Sequence, residues 1–324
     1  MKKNLKRRDF IKKAGIAGAA ATAVSSFPAP AIAAGHQEWI ICSAFGKAGL
    51  LGQAIQAFAD NVSSYSDKLK MKVYHAGELV PGLESLDAVR SGAAQASYGA
   101  PYYWTNLSDA IEFVATCPFG MNAMEQNAWC YYGGGIEEAD KIYNALGLKF
   151  LPMGNTGNQM GGWFNKEINT PDDYKGLKMR MPGLGGRTIE KLGATPVLLA
   201  GPDVLPSLAS GAVDAAEWIC PAADLGAGLY QAAKYYYGPG WHEPSTLLDL
   251  SIDLNAWESL DSATQGLVTN MTQSFNMTVF SRFQAINGPA LQKLVGEHGV
   301  TIKTFPDEVL IALGNAAGEV VSER

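Results

Sequence analysis

Apolar positions along the chain switch repeatedly between a period of two and a period of three to four, which predicts strands alternating with helices. "WIICSAF" (39–45) is a compact apolar run suited to a buried strand, and Ala54, Ile55, Phe58, Ala59 and Val62 follow it at helical spacing. In "LKMKVYHAGEL", Leu69, Met71 and Val73 alternate with Lys70, Lys72 and Tyr74, which predicts a strand with one wetter face. "LKFLPM" (148–153) is a further strand and leads directly into "GNTGNQMGGW" (154–163), too rich in glycine for a helix. Val268, Met271, Phe275, Val279, Phe283 and Ile286 predict a long helix from Asp261 or Ser262 to Asn287, stopped by Gly288-Pro289. The last segment, "PDEVLIALGNAAGEVVSER", is amphipathic up to Arg324 without a stop signal, as in a chain cut inside or just after a helix. The alternation as a whole predicts an α/β protein.

One internal similarity sharpens the architecture. "ESLDAVRSGAAQASYGAP" (84–101) lies on "DVLPSLASGAVDAAEWIC" (203–220) without a gap. Each reads as an amphipathic helix, a Ser-Gly stop at Ser91-Gly92 or Ser210-Gly211, and a short strand of small residues. The overlay pairs Tyr98 with Glu217 and predicts two similar lobes, each presenting the carboxyl end of a strand, where α/β sheets take ligands.

Charge changes the picture at the amino terminus. Residues 1–33 start with Lys2, Lys3, Lys6, Arg7 and Arg8, pass through an apolar run at 14–24, and end near the small residues "AIAA". This is the layout of an export signal, with a run too short to span a bilayer. Its core "RRDFIK" resembles a twin-arginine (Tat) signal, a receptor-read address. The segment holds seven Lys/Arg and one acid, so the remainder of a chain with net charge −6 carries about −12. Such an acidic surface argues against nucleic acid and anionic membrane as partners, and no second apolar run is long enough for membrane insertion. Export also permits disulfides. Of Cys42, Cys117, Cys130 and Cys220 only Cys117–Cys130 is a candidate bridge, and buried free thiols are the expected state.

Catalytic templates are missing: there is no GxSxG, HExxH or phosphate-binding loop, and His36, His75, His242 and His298 lack metal-ligand spacing. What remains is a set of polar residues beside Gly or Trp at apparent strand ends. Arg180 closes "GLKMRM"; taken alone it is a solvated strand arginine, although a guanidinium there can hold a carboxylate through two hydrogen bonds. Glu217 follows the apolar "AVDAA" and precedes Trp218, so it needs a partner, either Arg180 or a hard cation. Glu243, in "GPGWHEP", taken alone is a loop acid in solvent.

From Trp39 onward these segments resemble the solute-binding subunits of tripartite ATP-independent periplasmic (TRAP) transporters, in particular their 2-oxo acid branch. The resemblance is carried by "AGELVPGLESLDAV", "YYGGGI", "GNTGNQMGGWFNKEINTPDDYKGLKMRMPGLGG", "DAAEW" and "YYYGPGWHE", spread over most of the chain. It implies a two-lobed periplasmic-binding-protein fold with mixed sheets, a hinge and a long bracing helix, and no enzymatic activity. The implied lobes are residues 36–153 with 244–285, and 154–243 with 286–324. Arg180 is implied to take the substrate carboxylate. A cation, Na⁺ or Ca²⁺, is implied beside it on the side chains of Gln159, Glu217 and Glu243 and the carbonyl of Trp218. Asn155, Tyr102 and Tyr103 fall on the implied substrate-contacting loops.

The resemblance further implies a periplasmic protein that captures a pyruvate-like 2-oxo monocarboxylate and delivers it to membrane subunits for ion-gradient-driven import. Adjacent keto and carboxylate oxygens chelate one cation, and a 2-hydroxy acid such as lactate chelates similarly, so lactate or another carboxylate, such as a dicarboxylate or an amino acid, stays open as the alternative ligand, with a sensor subunit and an enzyme as less favoured readings. Two departures affect the site: Trp241-His242-Glu243-Pro244 stands where the branch often has paired tryptophans, and "PGLGG" after Arg180 is more open. Members usually continue into helices beyond position 324 that can make a dimer, so dimerisation is not assumed and monomer or homodimer stays undecided.

Overall fold

The computed structural model describes residues 36–324; the export-signal expectation, on 1–33, lies outside the described residues. The strands are β1 (Gln37–Ser43), β2 (Leu69–Tyr74), β3 (Ala96–Gly99), β4 (Leu148–Asn155), β5 (Gly162–Phe164), β6 (Lys178–Arg180), β7 (Thr195–Val197), β8 (Ala215–Ala216), β9 (Tyr235–Gly238), β10 (Leu247–Asp253) and β11 (Thr301–Thr304). They form two sheets, ordered β2-β1-β3-β10-β4 and β11-β9-β5-β8-β6-β7. Both are mixed: β3 runs parallel to β1 and antiparallel to β10, while β8 runs parallel to β6 and antiparallel to β5.

The order explains the glycine-rich segment. Apart from β11, the sheets have the same plan, with β10 of the first taking the place of β5 in the second. The chain therefore crosses between sheets twice in this region, from β4 to β5 and from β9 back to β10. "GNTGNQMGGW" is the first crossover and "GPGWHEPST" lies in the second. They run side by side: Thr156 donates its backbone N–H to the Thr246 carbonyl (3.0 Å) and Gly240 donates to the Gln159 carbonyl (3.0 Å). A Cβ at position 240 would collide with that carbonyl, so glycine is required for the approach.

Periodicity of two places the second sheet's core on both faces. Trp163, Tyr236 and Ala216 pack on one face with Val204 and Leu208, and Phe164, Tyr237 and Ala215 on the other with Phe305 and Leu313. Trp163 is a core residue, stacked on Tyr236 at 4.1 Å and donating to Asp224 at 2.9 Å. The two overlaid units hold equivalent places. Helix Ser85–Arg90 precedes β3 and helix Gly201–Ala209 precedes β8, with Gly92 and Gly211 both left-handed at φ 79° and 74°.

The long helix runs Ser262–Gly296, past the predicted stop at Gly288-Pro289. Proline removes one helical hydrogen bond, at about 3 kcal/mol in a helix interior. Burial beyond it outweighs that cost: Ala290 and Leu294 are buried, and Leu294 belongs to the second sheet's core. Val268, Phe275, Val279 and Phe283 belong to the first sheet's core, so one helix spans both bodies. All four cysteines are free, and Cys117 is only half-buried, unlike the other three.

Asp249 on β10 is buried in the first sheet, and its Oδ1 has no partner among the described residues. Burial pushes its carboxyl from 3.8 up to about 7, with the Ser251 hydroxyl offsetting this in part. The folded state thus keeps a proton that the unfolded chain releases near pH 4. Stability from this group is full below pH 4 and is lost as pH rises to 7, by up to about 4 kcal/mol. Asp249→Asn removes that loss, so urea unfolding should show a gain of about 2–4 kcal/mol at pH 8 and little change at pH 4. Equal effects at both pH values would contradict the assignment.

Candidate functional site

Arg180 is the last residue of β6 and pairs in register with Ala216 of β8, so Glu217 emerges beside it where both strands end. The Glu217 N–H donates to the Arg180 carbonyl at 3.1 Å, which locks the two ends together. Arg180 is 1 % exposed, against the expectation of a solvated strand arginine, because β6 is flanked by β7 and β8 and its end is roofed by Leu199 and Trp218. Its Nε and Nη2 donate to the Leu199 carbonyl at 3.3 and 3.4 Å, and its Nη1 donates to the Glu217 carbonyl at 3.0 Å and to the Glu217 carboxylate. The guanidinium also lies 5.2 Å from the Trp218 ring centroid, within cation–π range. Glu217 therefore has the arginine partner that its apolar setting demanded.

Glu243 is 2 % exposed, which corrects its reading as a solvent-facing loop acid. The second crossover folds inward, and neutral donors converge on Glu243 Oε2: Gln159 Nε2 at 2.7 Å, the Tyr102 hydroxyl at 3.3 Å and the Thr246 hydroxyl. Burial, reinforced by the Glu217 charge, raises its carboxyl to about 7. His242, fully buried, sets its Nε2 3.3 Å from Glu217 Oε2. Burial lowers the imidazole pKa, but the Glu217 hydrogen bond and charge raise it further, so the net direction is up. Ligand atoms of Glu217, His242 and Glu243 all lie within 4.8 Å of one another.

Gln159 completes this centre. Its Nε2 has three acceptors within reach of its two hydrogens, Thr156 (3.1 Å), Glu243 (2.7 Å) and Thr246 (2.9 Å), which turns the amide oxygen away from them. That Oε1 is buried and has no partner among the described residues. Likewise, no hydrogen bond among the described residues reaches the Trp218 carbonyl. An orphaned amide oxygen, a free carbonyl and two buried carboxylates form an oxygen-donor set that fits a hard cation. The cation would offset the two acids and leave Arg180 as the group for an anion.

The remaining predicted residues are distributed around this centre. Tyr102 and Tyr103 come from the turn Pro101–Trp104 after β3, with rings 5.1 Å apart; Tyr103 is buried, and burial pushes its hydroxyl up to about 12. Asn155 is fully buried, and its amide is held by the protein: Nδ2 donates to Gln126 at 2.9 Å and Oδ1 accepts from the Gly157 N–H at 2.8 Å. Gln126, Thr156, Thr246 and His242 were missed from the sequence. Gln126 also accepts from Ser245 at 2.8 Å, so one amide ties both crossovers together. The signal for His242 was adjacency to Glu243 in a Trp/Pro turn; the others depend on chain crossings that periodicity does not report.

Two sheets joined by crossovers, with charged groups buried where they meet, define a ligand-binding clamp. The chain belongs to the bacterial extracellular solute-binding proteins, family 7, whose sequence profile matches residues 45–324. It is 38 % identical, over 99 % of its length and 89 % of the relative's, to the monocarboxylate 2-oxoacid-binding periplasmic protein of Nostoc sp. strain PCC 7120. A TRAP periplasmic solute-binding protein from Pseudoalteromonas atlantica, solved with bound sodium and pyruvate, superposes with a TM-score of 0.85 at 38 % identity over 88 % of each chain. One from Colwellia psychrerythraea, with bound calcium and pyruvate, superposes equally well at 37 % identity over the same shares. The chain is thus a solute-binding component of a TRAP transporter and not an enzyme.

Proposed function

We propose that the protein captures a 2-oxo monocarboxylate of the pyruvate type together with Na⁺ or Ca²⁺ in the periplasm and hands it to TRAP membrane subunits. The observation that carries this reading is the buried, partnerless Oε1 of Gln159, whose amide nitrogen is bonded to Glu243, in a centre where Glu243 and Glu217 come together and Glu217 meets Arg180. In this reading Gln159, Glu217, Glu243 and the Trp218 carbonyl hold the cation, which supplies positive charge for the keto and carboxylate oxygens. Arg180 grips the carboxylate through the Nη2 hydrogen left free by Leu199 and through Nη1 once Glu217 turns away. Tyr102 and Tyr103 close the pocket from the first sheet, Asn155 holds the crossover that carries Gln159, and the Trp218 ring covers the guanidinium. The lobes are assigned as 36–153 with 244–285 and 154–243 with 286–324, closing about the crossovers as a hinge.

Selectivity tests the chelation. Calorimetry on ligand-stripped protein should show pyruvate binding at least about tenfold tighter than propionate, which keeps the carboxylate but lacks the keto oxygen. Equal affinities would remove the cation-chelating role while leaving Arg180 as a carboxylate clamp. Homologous acids with an acidic second end should bind poorly, because Glu217 and Glu243 already crowd the pocket with negative charge.

A further inference from the structure

We propose that residues 111–121 form a latch that holds the clamp closed from outside the ligand pocket and sets how long the ligand stays bound. The inference rests on the reading of the protein as a closing clamp.

The segment belongs to the first sheet's body: helix Ile111–Ala115 packs against the turn Pro101–Trp104, helix Gly135–Ala145 and β10. Two of its side chains nevertheless reach the second body. Glu112 is 1 % exposed, yet its carboxylate meets the half-buried Arg187 at 3.3 Å, on helix Gly183–Lys191 beside β7, and Arg324 at 3.8 Å. With the acid buried in one body and its partly exposed cations on the other, separation leaves the Glu112 carboxylate desolvated without a counter-charge.

The second contact is aromatic. Gly120 donates its N–H to the Cys117 carbonyl at 2.9 Å, closing a turn with Pro118 second and Phe119 third. Phe119 has φ 56°, the only positive φ outside glycine among the described residues. A turn of this kind wants Gly or Asn at that position, so a phenylalanine there is strained and persists only where its surroundings over-determine it. The surroundings are Trp241: the rings stack at 5.9 Å and 28°, and the Phe119 N–H donates to the Trp241 carbonyl at 2.7 Å. Trp241 sits in the second sheet's core and directly precedes His242 and Glu243. Trp241 thus lies on the second lobe's side of the 243/244 boundary, so opening the clamp breaks the ion pair and the stack together, while among the described residues Glu112 and Phe119 have no hydrogen-bond partner in the ligand centre.

Stopped-flow tryptophan fluorescence with pyruvate and Ca²⁺ separates the rates for Glu112→Gln, Phe119→Gly and the pair. The latch predicts dissociation faster by roughly fivefold in each single variant and more in the pair, with association within about twofold. Dissociation of the double variant within about twofold of the parent overturns it. Phe119→Leu keeps an apolar side chain without the stack and should behave as Phe119→Gly does, which guards against a folding defect of the glycine variant. If the parent itself fails to bind pyruvate, the carboxylate reading falls and the latch is decided by amide exchange in ligand-free protein. There, Glu112→Gln should speed exchange of the peptide spanning 117–121 at least about fivefold, and unchanged exchange overturns the latch.

Discussion

Arg180→Ala abolishes carboxylate binding and, in the same protein, lowers folding stability by about 3–5 kcal/mol, the range for removing one partner of a buried ion pair. The first effect follows from the guanidinium being the proposed carboxylate clamp; its charge-assisted hydrogen bonds contribute about 1.5–3 kcal/mol each. The second follows from its burial at 1 % exposure against Glu217, also at 1 %, because the substitution strands a carboxylate away from water. Periodicity alone presents a solvated arginine whose loss leaves the fold untouched, and burial reverses that expectation. Arg180→Lys separates the effects, since lysine keeps the charge opposite Glu217 but cannot reproduce the fork. Calorimetry and urea unfolding on both variants check this; an Arg180→Ala protein as stable as the parent would show that Glu217 is neutralised by something else.

Glu243→Gln has the opposite signature. Among the described residues Glu243 accepts hydrogen bonds only from neutral donors, on Gln159, Tyr102 and Thr246, and burial holds its carboxyl up at about 7, so at pH 8 it carries a desolvated charge. A cation relieves that state. Glutamine keeps the volume and an accepting oxygen, so ligand-free stability at pH 8 should hold or rise. Cation affinity should fall by at least about 10–100-fold, the range for disturbing even an outer partner of a metal. Glu217→Gln also weakens the cation but leaves Arg180 buried and unpaired, and therefore costs stability. Unchanged metal content in Glu243→Gln protein, measured after dialysis against Na⁺ or Ca²⁺, would remove Glu243 from the cation set.

Much of this was legible in the sequence. The strands 39–45, 69–74 and 148–153 and the helix around Ala54–Val62 follow from local periodicity, and the observed elements fall there. The Ser-Gly overlay anticipated two sheets of one plan because both helices need the same left-handed glycine to turn back into a strand. Two kinds of information were not local. Helix 262–296 passes Pro289 because burial of Leu294 in the second body outweighs a missing hydrogen bond, a tertiary effect invisible to propensity. His242, Thr156, Thr246 and Gln126 join the site only because two crossovers run side by side, and nothing in either strand reports the other.

Glu217 contacts both Arg180 and His242, so a cation on Glu217 would compete with Arg180 for it and thereby assist a carboxylate at Arg180. In the proposed reading a cation that draws Glu217 away would free Arg180 for the acid, and by linkage the acid would raise cation affinity by the same factor. The most direct measurement is calorimetric titration of ligand-stripped protein with pyruvate, with and without saturating Na⁺ or Ca²⁺. Pyruvate affinity should be at least about tenfold higher with the cation present, with an equal gain in cation affinity when pyruvate is bound. Pyruvate binding with the same affinity in cation-free buffer would contradict it.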